Sequence, residues 1–177
     1  MQKTHIYFTT ASTPIGRFFI GVTEQGLCTI NWDKQDWYLF LQKAGKQFHI
    51  TTSENVHKCR PILDELNAYF NIKLTRFTVP VDLFLVTPFQ NKVLGALCNI
   101  PYGTTTKYRD IATLIGKPQA FRAVGAAIGS NPVPIVIPCH RVIRSDGGLG
   151  GFGGGLERKT FLLKLENDSF GSNAYNG

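Results

Sequence analysis

The sequence predicts an α+β protein in two parts: a small N-terminal strand-and-helix domain, then a helical C-terminal domain with a helix-turn-helix. Three observations predict it. The first third consists of β-rich runs separated by turn signals. After Pro88 the apolar spacing becomes helical. A chain of 177 residues has material for one good core or two small ones. The boundaries read as a supporting domain over residues 1–84, a second domain over 85–171 and a tail over 172–177.

Thr4–Thr10 and Gly16–Val22 read as strands, joined by a turn over Ala11-Ser12-Thr13-Pro14-Ile15. Gly26–Trp32 follows as a third strand. From Asp33, the spacing of Trp37, Leu41 and Ala44 is helical. Arg60–Phe70 is a second helix with Ile62, Leu63, Leu66 and Phe70 on one side and Pro61 in its first turn. Pro80 keeps Val79–Leu83 extended. In the second half, Phe89–Ile100 is an amphipathic helix that stops at Pro101-Tyr102-Gly103. Lys107–Ile115 ends at Gly116, and Pro118 opens a helix running through Ile128 to the stop at Asn131-Pro132. Two helices around a glycine turn form a helix-turn-helix pattern, which an ordinary helical hairpin shares. The second helix favours the DNA-binding reading. It sets Arg122 among Ala123, Gly125, Ala126, Ala127 and Gly129, a smooth surface suited to close approach. Asp146–Gly155 is glycine-dense but lacks a Walker lysine and the Rossmann spacing, so it is not a phosphate cradle. Its glycines allow flexing or close approach to a flat ligand. Leu156–Glu166 returns to helix, with Leu156, Phe161, Leu162 and Leu165 as its apolar residues.

Charge and cysteine usage narrow the function. The net charge of +7 is uneven: residues 88–166 carry ten Lys and Arg against four Asp and Glu. That excess points to a polyanion, nucleic acid first, although a merely soluble basic face has the same composition. The start of the chain lacks an apolar signal core and no run spans a membrane, which predicts a cytoplasmic protein. Cys28, Cys59, Cys98 and Cys139 are widely spaced and form no CxxC pair, so neither a zinc site nor a disulfide framework is expected. His5 and Cys28 alone do not make a metal site. Cys98, among Val93, Leu94, Leu97 and Ile100, reads as a packing residue.

The most informative segment is Ile137-Pro138-Cys139-His140-Arg141-Val142-Ile143. It sets a thiol beside an imidazole and a guanidinium. A thiolate is the nucleophilic form, and nearby cations lower a thiol pKa below about 8.5. Among the four cysteines, Cys139 alone is followed directly by His and Arg; Cys59, between Lys58 and Arg60, also has cationic neighbours but no adjacent imidazole. Cys, His and Arg together are the parts of an activated nucleophile. A Cys-His pair is also common without any chemistry.

This motif resembles the active site of the O6-alkylguanine-DNA alkyltransferases, in their standalone form. The resemblance is specific from Thr87-Pro88-Phe89 to Glu166 and looser at Thr13-Pro14-Ile15-Gly16 and the strands that follow. It implies direct, irreversible, single-turnover repair. Cys139 would take the alkyl group from O6 of guanine, or from O4 of thymine, in duplex DNA and keep it as a thioether. His140 would deprotonate the thiol through a water, and Glu166 would orient His140, following triad logic. Asn131 would brace the turn that carries Cys139. Tyr108 would donate to the departing base and promote its rotation out of the helix. Arg122 would fill the gap it leaves. Ala123, Ala126 and Ala127 would enter the minor groove, with Arg141 among the DNA-binding residues. The carbonyls of Cys139 and Val142 and the amide of Gly153 would read the guanine edge. Phe152 and Pro134 would wall the alkyl pocket. The family often has tyrosine at Phe152 and a small polar residue at Gly153, which bears on substrate range. Some relatives bind zinc near positions occupied here by Thr4 and Thr23, so no metal and no cofactor are expected. The partner would be double-stranded DNA, bound by a monomer and without a membrane. The alternatives are a non-catalytic lesion-binding protein, a Cys-His hydrolase that turns over, and a plain helix-turn-helix regulator.

Overall fold

A computed structural model describes residues 2–171, with side chains described through Asn167; the tail over 172–177 lies outside the described residues. The chain divides into two compact units, Met1–Leu85 and Val86–Gly177. Family-independent geometry therefore agrees with an α+β architecture of a sheet-bearing unit followed by a helical one.

The first unit holds β1 (Lys3–Thr13), β2 (Gly16–Thr23), β3 (Gly26–Asn31), α1 (Lys34–Gly45), β4 (His49–Glu54) and α2 (Val56–Phe70). The sheet order is β3-β2-β1-β4, antiparallel except that β4 runs parallel to β1. The β1–β2 turn is tighter than the sequence reading. Pairing continues to Thr13 opposite Gly16, which leaves Pro14 and Ile15 as a two-residue loop, and Gly16 takes φ 121°. Side chains alternate across the sheet. Ile6 packs with Cys28 and with Trp37 of α1, and Phe8, Phe19 and Phe40 surround them. Gly21 makes room there, because an added Cβ would stand 3.1 Å from the Trp37 ring and 2.9 Å from Thr29. Phe18 and Ile20 point the other way, and α2 packs on β1 and β2 through Cys59, Ile62, Leu66 and Tyr69.

Two differences from the sequence reading have clear causes. β4 has the sequence His-Ile-Thr-Thr-Ser-Glu, whose apolar alternation is too weak to read as a strand. It is held by the ladder to β1 and by His5, whose two ring nitrogens lie 2.7 and 2.8 Å from Thr51 Oγ1 and Ser53 Oγ. Both nitrogens of His5 are thus engaged away from Cys28. α2 begins at Val56 with Asn55 as its cap, so Pro61 lies inside the helix and not in its first turn. The extended stretch around Pro80 bridges to β3, with Leu27 N–H donating to Pro80 O at 2.8 Å.

The second unit holds α3 (Pro88–Leu97), β5 (Thr106–Lys107), α4 (Tyr108–Leu114), α5 (Phe121–Gly129), β6 (Val142–Ile143) and α6 (Leu156–Gly171). Thr87 and Gln90 form a reciprocal cap at the start of α3. Cys98 is the C-cap of α3 and is exposed, so it is not the packing residue the sequence suggested. α4 ends in a Schellman motif: Gly116 takes φ 74°, Gly116 N–H donates to Thr113 O, and Lys117 N–H donates to Ala112 O. That stop turns the chain through one short helical turn at Pro118–Ala120 into α5, which packs on α3 and α4. The helix-turn-helix pattern is therefore realised. Val93, Leu94, Leu97, Ile111, Ala112, Val124, Ile128 and Leu162 are buried. β5 and β6 pair in parallel, Thr106 opposite Val142 and Lys107 opposite Ile143. This short ladder ties the start of α4, and with it Tyr108, to the strand that follows Cys139.

Candidate active site

Cys139 opens a single helical turn, Cys139–Arg141, between Pro138 and β6. Asn131, just beyond α5, fixes the approach to it. Its side-chain amide donates to Ile137 O at 2.8 Å and its side-chain oxygen accepts from Val133 N at 3.1 Å. Within this clamp Ile135 holds φ 75°, a conformation that a β-branched residue adopts only under constraint. Pro134 is buried in the same turn and bridges to Ile137.

Glu166, on α6, collects the charged groups. Its carboxylate lies 2.8 Å from His140 Nε2, and accepts from Arg141 Nε and Nη2, each at 2.9 Å, and from Gly103 N at 3.0 Å. Arg141 also donates to Ile100 O at 2.7 Å. His140 and Glu166 are 0% and 1% exposed. Burial works against the carboxylate charge, but the bonds from His140 and Arg141 outweigh it and hold its pKa at about 2. Burial lowers the pKa of His140, against the pull of Glu166. A neutral imidazole facing a carboxylate carries its proton on Nε2. The Nδ1 lone pair is then left as an acceptor, and Nδ1 has no hydrogen-bond partner among the described residues. In this tautomer the ring can accept a proton at Nδ1 while Glu166 holds Nε2.

The thiol does not fit the simple cationic reading. Burial raises the pKa of Cys139; Asn131, Lys159 and the backbone of Cys139 and Ile135 oppose that rise without overcoming it. Arg141 is bonded to Glu166 instead of the thiol. The cation that acts on Cys139 is Lys159, which sequence reasoning missed. It is 0% exposed and donates to Val142 O at 2.7 Å and to Leu149 O. Burial depresses its pKa to about 8, while the Cys139 charge pulls the other way. Lys159, Leu162 and Glu166 stand at i, i+3 and i+7 on one side of α6. That buried side carries two charges, while Leu156 and Phe161 are exposed at 54% and 36%. Leu162 is buried on that same side, so apolar spacing marked it in part and did not reveal its charges. The available signal was a Lys and a Glu at helical spacing downstream of a Cys-His pair.

Other candidate residues divide. Arg122, Ala123 and Ala126 are exposed on α5, but Ala127 is 3% exposed and belongs to the core. Arg141 is 6% exposed and internally bonded, which removes it from the DNA-binding set. The Val142 carbonyl already accepts from Lys159 and is not free to serve base reading alone. Tyr108 is half-buried; burial raises its pKa, and its hydroxyl lies 3.5 Å from Gly151 O. Gly150 takes φ 70°, and a Cβ there would stand 2.9 Å from the Tyr108 hydroxyl, so the loop needs glycine at that point. Phe152 is half-buried and Gly153 exposed. Tyr108, Arg109, Phe121, Gly125, Arg144 and Asp146 line a cleft of about 430 Å³.

Fold and site together place a buried cysteine, followed in the chain by a histidine held by a carboxylate, inside a helix-turn-helix unit. The family follows from comparison. Residues 88–168 match the 6-O-methylguanine DNA methyltransferase DNA binding domain, and residues 6–83 match the ribonuclease-like domain of the same family. A Methanosarcina barkeri methylated-DNA–protein-cysteine methyltransferase is 43% identical, with 93% of this chain and 99% of that protein covered. The inducible Bacillus subtilis methylated-DNA–protein-cysteine methyltransferase is also 43% identical, covering 93% and 92%. The crystal structure of Mycobacterium tuberculosis O6-methylguanine methyltransferase superposes with TM-score 0.80 at 40% identity, covering 93% of this chain and 94% of that one. A Mycobacterium tuberculosis structure in complex with DNA gives TM-score 0.78 at 40% identity over the same shares. The chain belongs to the 6-O-methylguanine DNA methyltransferase family.

Two outcomes follow from this geometry. The folded pKa of Glu166 lies below its unfolded value of about 4.3. Its contribution to stability is therefore complete above about pH 4.3 and is lost as pH falls toward 2. Glu166→Gln should lower stability by about 3–5 kcal/mol, because Arg141 is left buried without its partner. It should also flatten the acid limb of a pH series of urea midpoints. Lys159→Met, which keeps the volume and removes the charge, should move the iodoacetamide reaction of Cys139 to higher pH. Unchanged pH profiles would show that Lys159 acts on the loop alone.

Proposed function

We propose that the chain repairs alkylated DNA by moving the alkyl group to its own Cys139, once per molecule. The observation that carries this reading is the buried thiol next to a neutral His140. The ring is fixed by Glu166 on one nitrogen and presents a lone pair on the other. His140 takes the thiol proton through a water bridging Nδ1 and Sγ. The sulfur attacks the alkyl carbon as its bond to O6 of guanine breaks, and the electron pair of that bond stays on the base. Guanine departs neutral with a proton from Tyr108, which burial keeps protonated. In net terms the alkyl group replaces the thiol proton and guanine gains one. The thioether has no further nucleophile to release it, so the reaction stops at one equivalent. Methylated guanine is the leading substrate, with O4-alkylthymine as a second lesion of the same chemistry.

A buried thiol cannot reach a base inside a duplex, so the lesion must leave the stack, which costs a few kcal/mol. Arg122, exposed on α5 beside Ala123 and Ala126, fills the space behind it. The small side chains of that helix suit the minor groove, where contacts are degenerate and binding is weakly sequence-specific. Phe152 and Pro134 wall the alkyl pocket, and the Gly153 amide faces O6. The protein acts as a monomer, without metal or cofactor, in the cytoplasm; no helix among the described residues is long and apolar enough to cross a membrane.

The direct test is peptide mapping after reaction with methylated duplex DNA. One added methyl on Cys139 is expected, and Cys139→Ala should bind DNA yet remove nothing. Methyl on Cys28, Cys59 or Cys98, or repeated turnover, would sink the assignment. Arg122→Ala should slow repair of duplex by about ten- to a hundredfold while leaving the reaction with free O6-benzylguanine near the wild-type rate. Equal losses on both substrates would mean that Arg122 shapes the pocket or the fold.

A further inference from the structure

The reading above leaves one prominent side chain of α5 without a task. Phe121 opens the helix and is 39% exposed, although aromatic side chains gain most from burial. It lines the cleft of about 430 Å³ with Tyr108 and Gly125. Phe121 and Gly125 are four residues apart, one turn along the same helix face. The Tyr108 ring lies over Gly125, where an added Cβ would stand 3.8 Å from it. Two aromatic rings therefore border a floor kept smooth by a glycine. Arg122 is turned about 100° round the helix from Phe121. Its guanidinium lies over the Phe121 ring, 6.0 Å from the centroid, yet Arg122 is absent from the cleft lining. Arg122 thus sits against one face of the ring, while the cleft that Phe121 lines is formed without it.

The cleft also has a charge character. Arg109 and Arg144 line it, opposed by the carboxylate of Asp146. Asp146 lies 2.8 Å from Arg144, with both side chains well exposed at 59% and 63%. Exposed pairs of this kind are weak and exchange readily for a stronger anion. A phosphate accepts bidentate bonds from a guanidinium, so Arg144 has a better partner when one arrives. A flat aromatic face beside net positive charge fits one ligand class: a nucleotide, with its base on the ring and its phosphate on the cations. Tyr108 connects this cleft to Cys139, since a thiolate there would raise the pKa of its hydroxyl.

We propose that Phe121 is the stacking platform for a base of the lesion-bearing strand, held at the cleft while Arg144 takes its phosphate. The proposal rests on the alkyl-transfer reading and adds a positioning residue to it. Stacking on an aromatic side chain tolerates every base, which suits a protein that must act in any sequence.

The test compares Phe121→Ala, Phe121→Leu and Phe121→Tyr in single-turnover transfer from methylated duplex and from free O6-benzylguanine. Removing the ring should slow the duplex reaction by about 5- to 150-fold in both the Ala and Leu variants. Phe121→Tyr should keep the wild-type rate, and all three should react with the free base as wild type does. A wild-type rate for Phe121→Leu on duplex overturns stacking, because bulk alone would suffice. A matching loss on free base overturns it as well, because the pocket itself would be disturbed. A second readout uses Phe121→Trp in the Cys139→Ala background. Duplex binding should quench the fluorescence added by the new indole, over the background of Trp32 and Trp37, and an unquenched indole would overturn the proposal. Failure of the wild-type protein to take methyl from duplex would remove the parent reading, a result separate from any of these.

Discussion

The carboxylate of Glu166 is the constraint around which the site is arranged. It accepts from His140, from two nitrogens of Arg141 and from the amide of Gly103. A buried anion without such partners would be neutralised by protonation; with them it stays ionised. One group thereby sets three things. It selects the His140 tautomer, it consumes the Arg141 charge, and it anchors α6 to the loop after α3. Breaking it would disturb base, loop and helix together, which is why the network has to be complete to be useful.

Burial acts on the thiol and the imidazole to the same end. It raises the pKa of Cys139 and lowers that of His140, so the neutral form of each is favoured, while Lys159 and backbone amides pull the thiol the other way. Lys159 connects this chemistry to the glycine-rich loop, because the same ammonium bonds the carbonyls of Val142 and Leu149. Loop placement and thiol electrostatics are therefore not independent variables in this protein.

The exposed side of α5 obeys a different logic. α5 is smooth and exposed at Ala123 and Ala126, while Val124, Ala127 and Ile128 lock it to the core. The Schellman stop at Gly116 and the short turn at Pro118–Ala120 fix the angle at which it emerges from α4. Tyr108 is shared by both sides. The β5–β6 ladder holds it near the Cys139 turn, and its ring packs on Gly125 of α5.

The sequence by itself determined much of this. Turn residues and alternation located β1, β2 and β3, and helical spacing with proline and glycine stops located α3, α4 and α5. The Pro-Cys-His-Arg segment marked Cys139 and His140 as the candidate nucleophile and base. The tertiary structure decided the rest. β4 has a polar sequence and becomes a strand only because β1 offers it a ladder. Arg141, two residues after the thiol, turns its charge inward to Glu166, while Lys159, twenty residues downstream of Cys139, acts on the sulfur. The buried side of α6 carries Lys159 and Glu166 beside Leu162, while Leu156 and Phe161 stay exposed. Periodicity assumes that burial follows hydrophobicity. Where buried charges satisfy one another, that assumption fails, and only packing decides which side of the helix is inside.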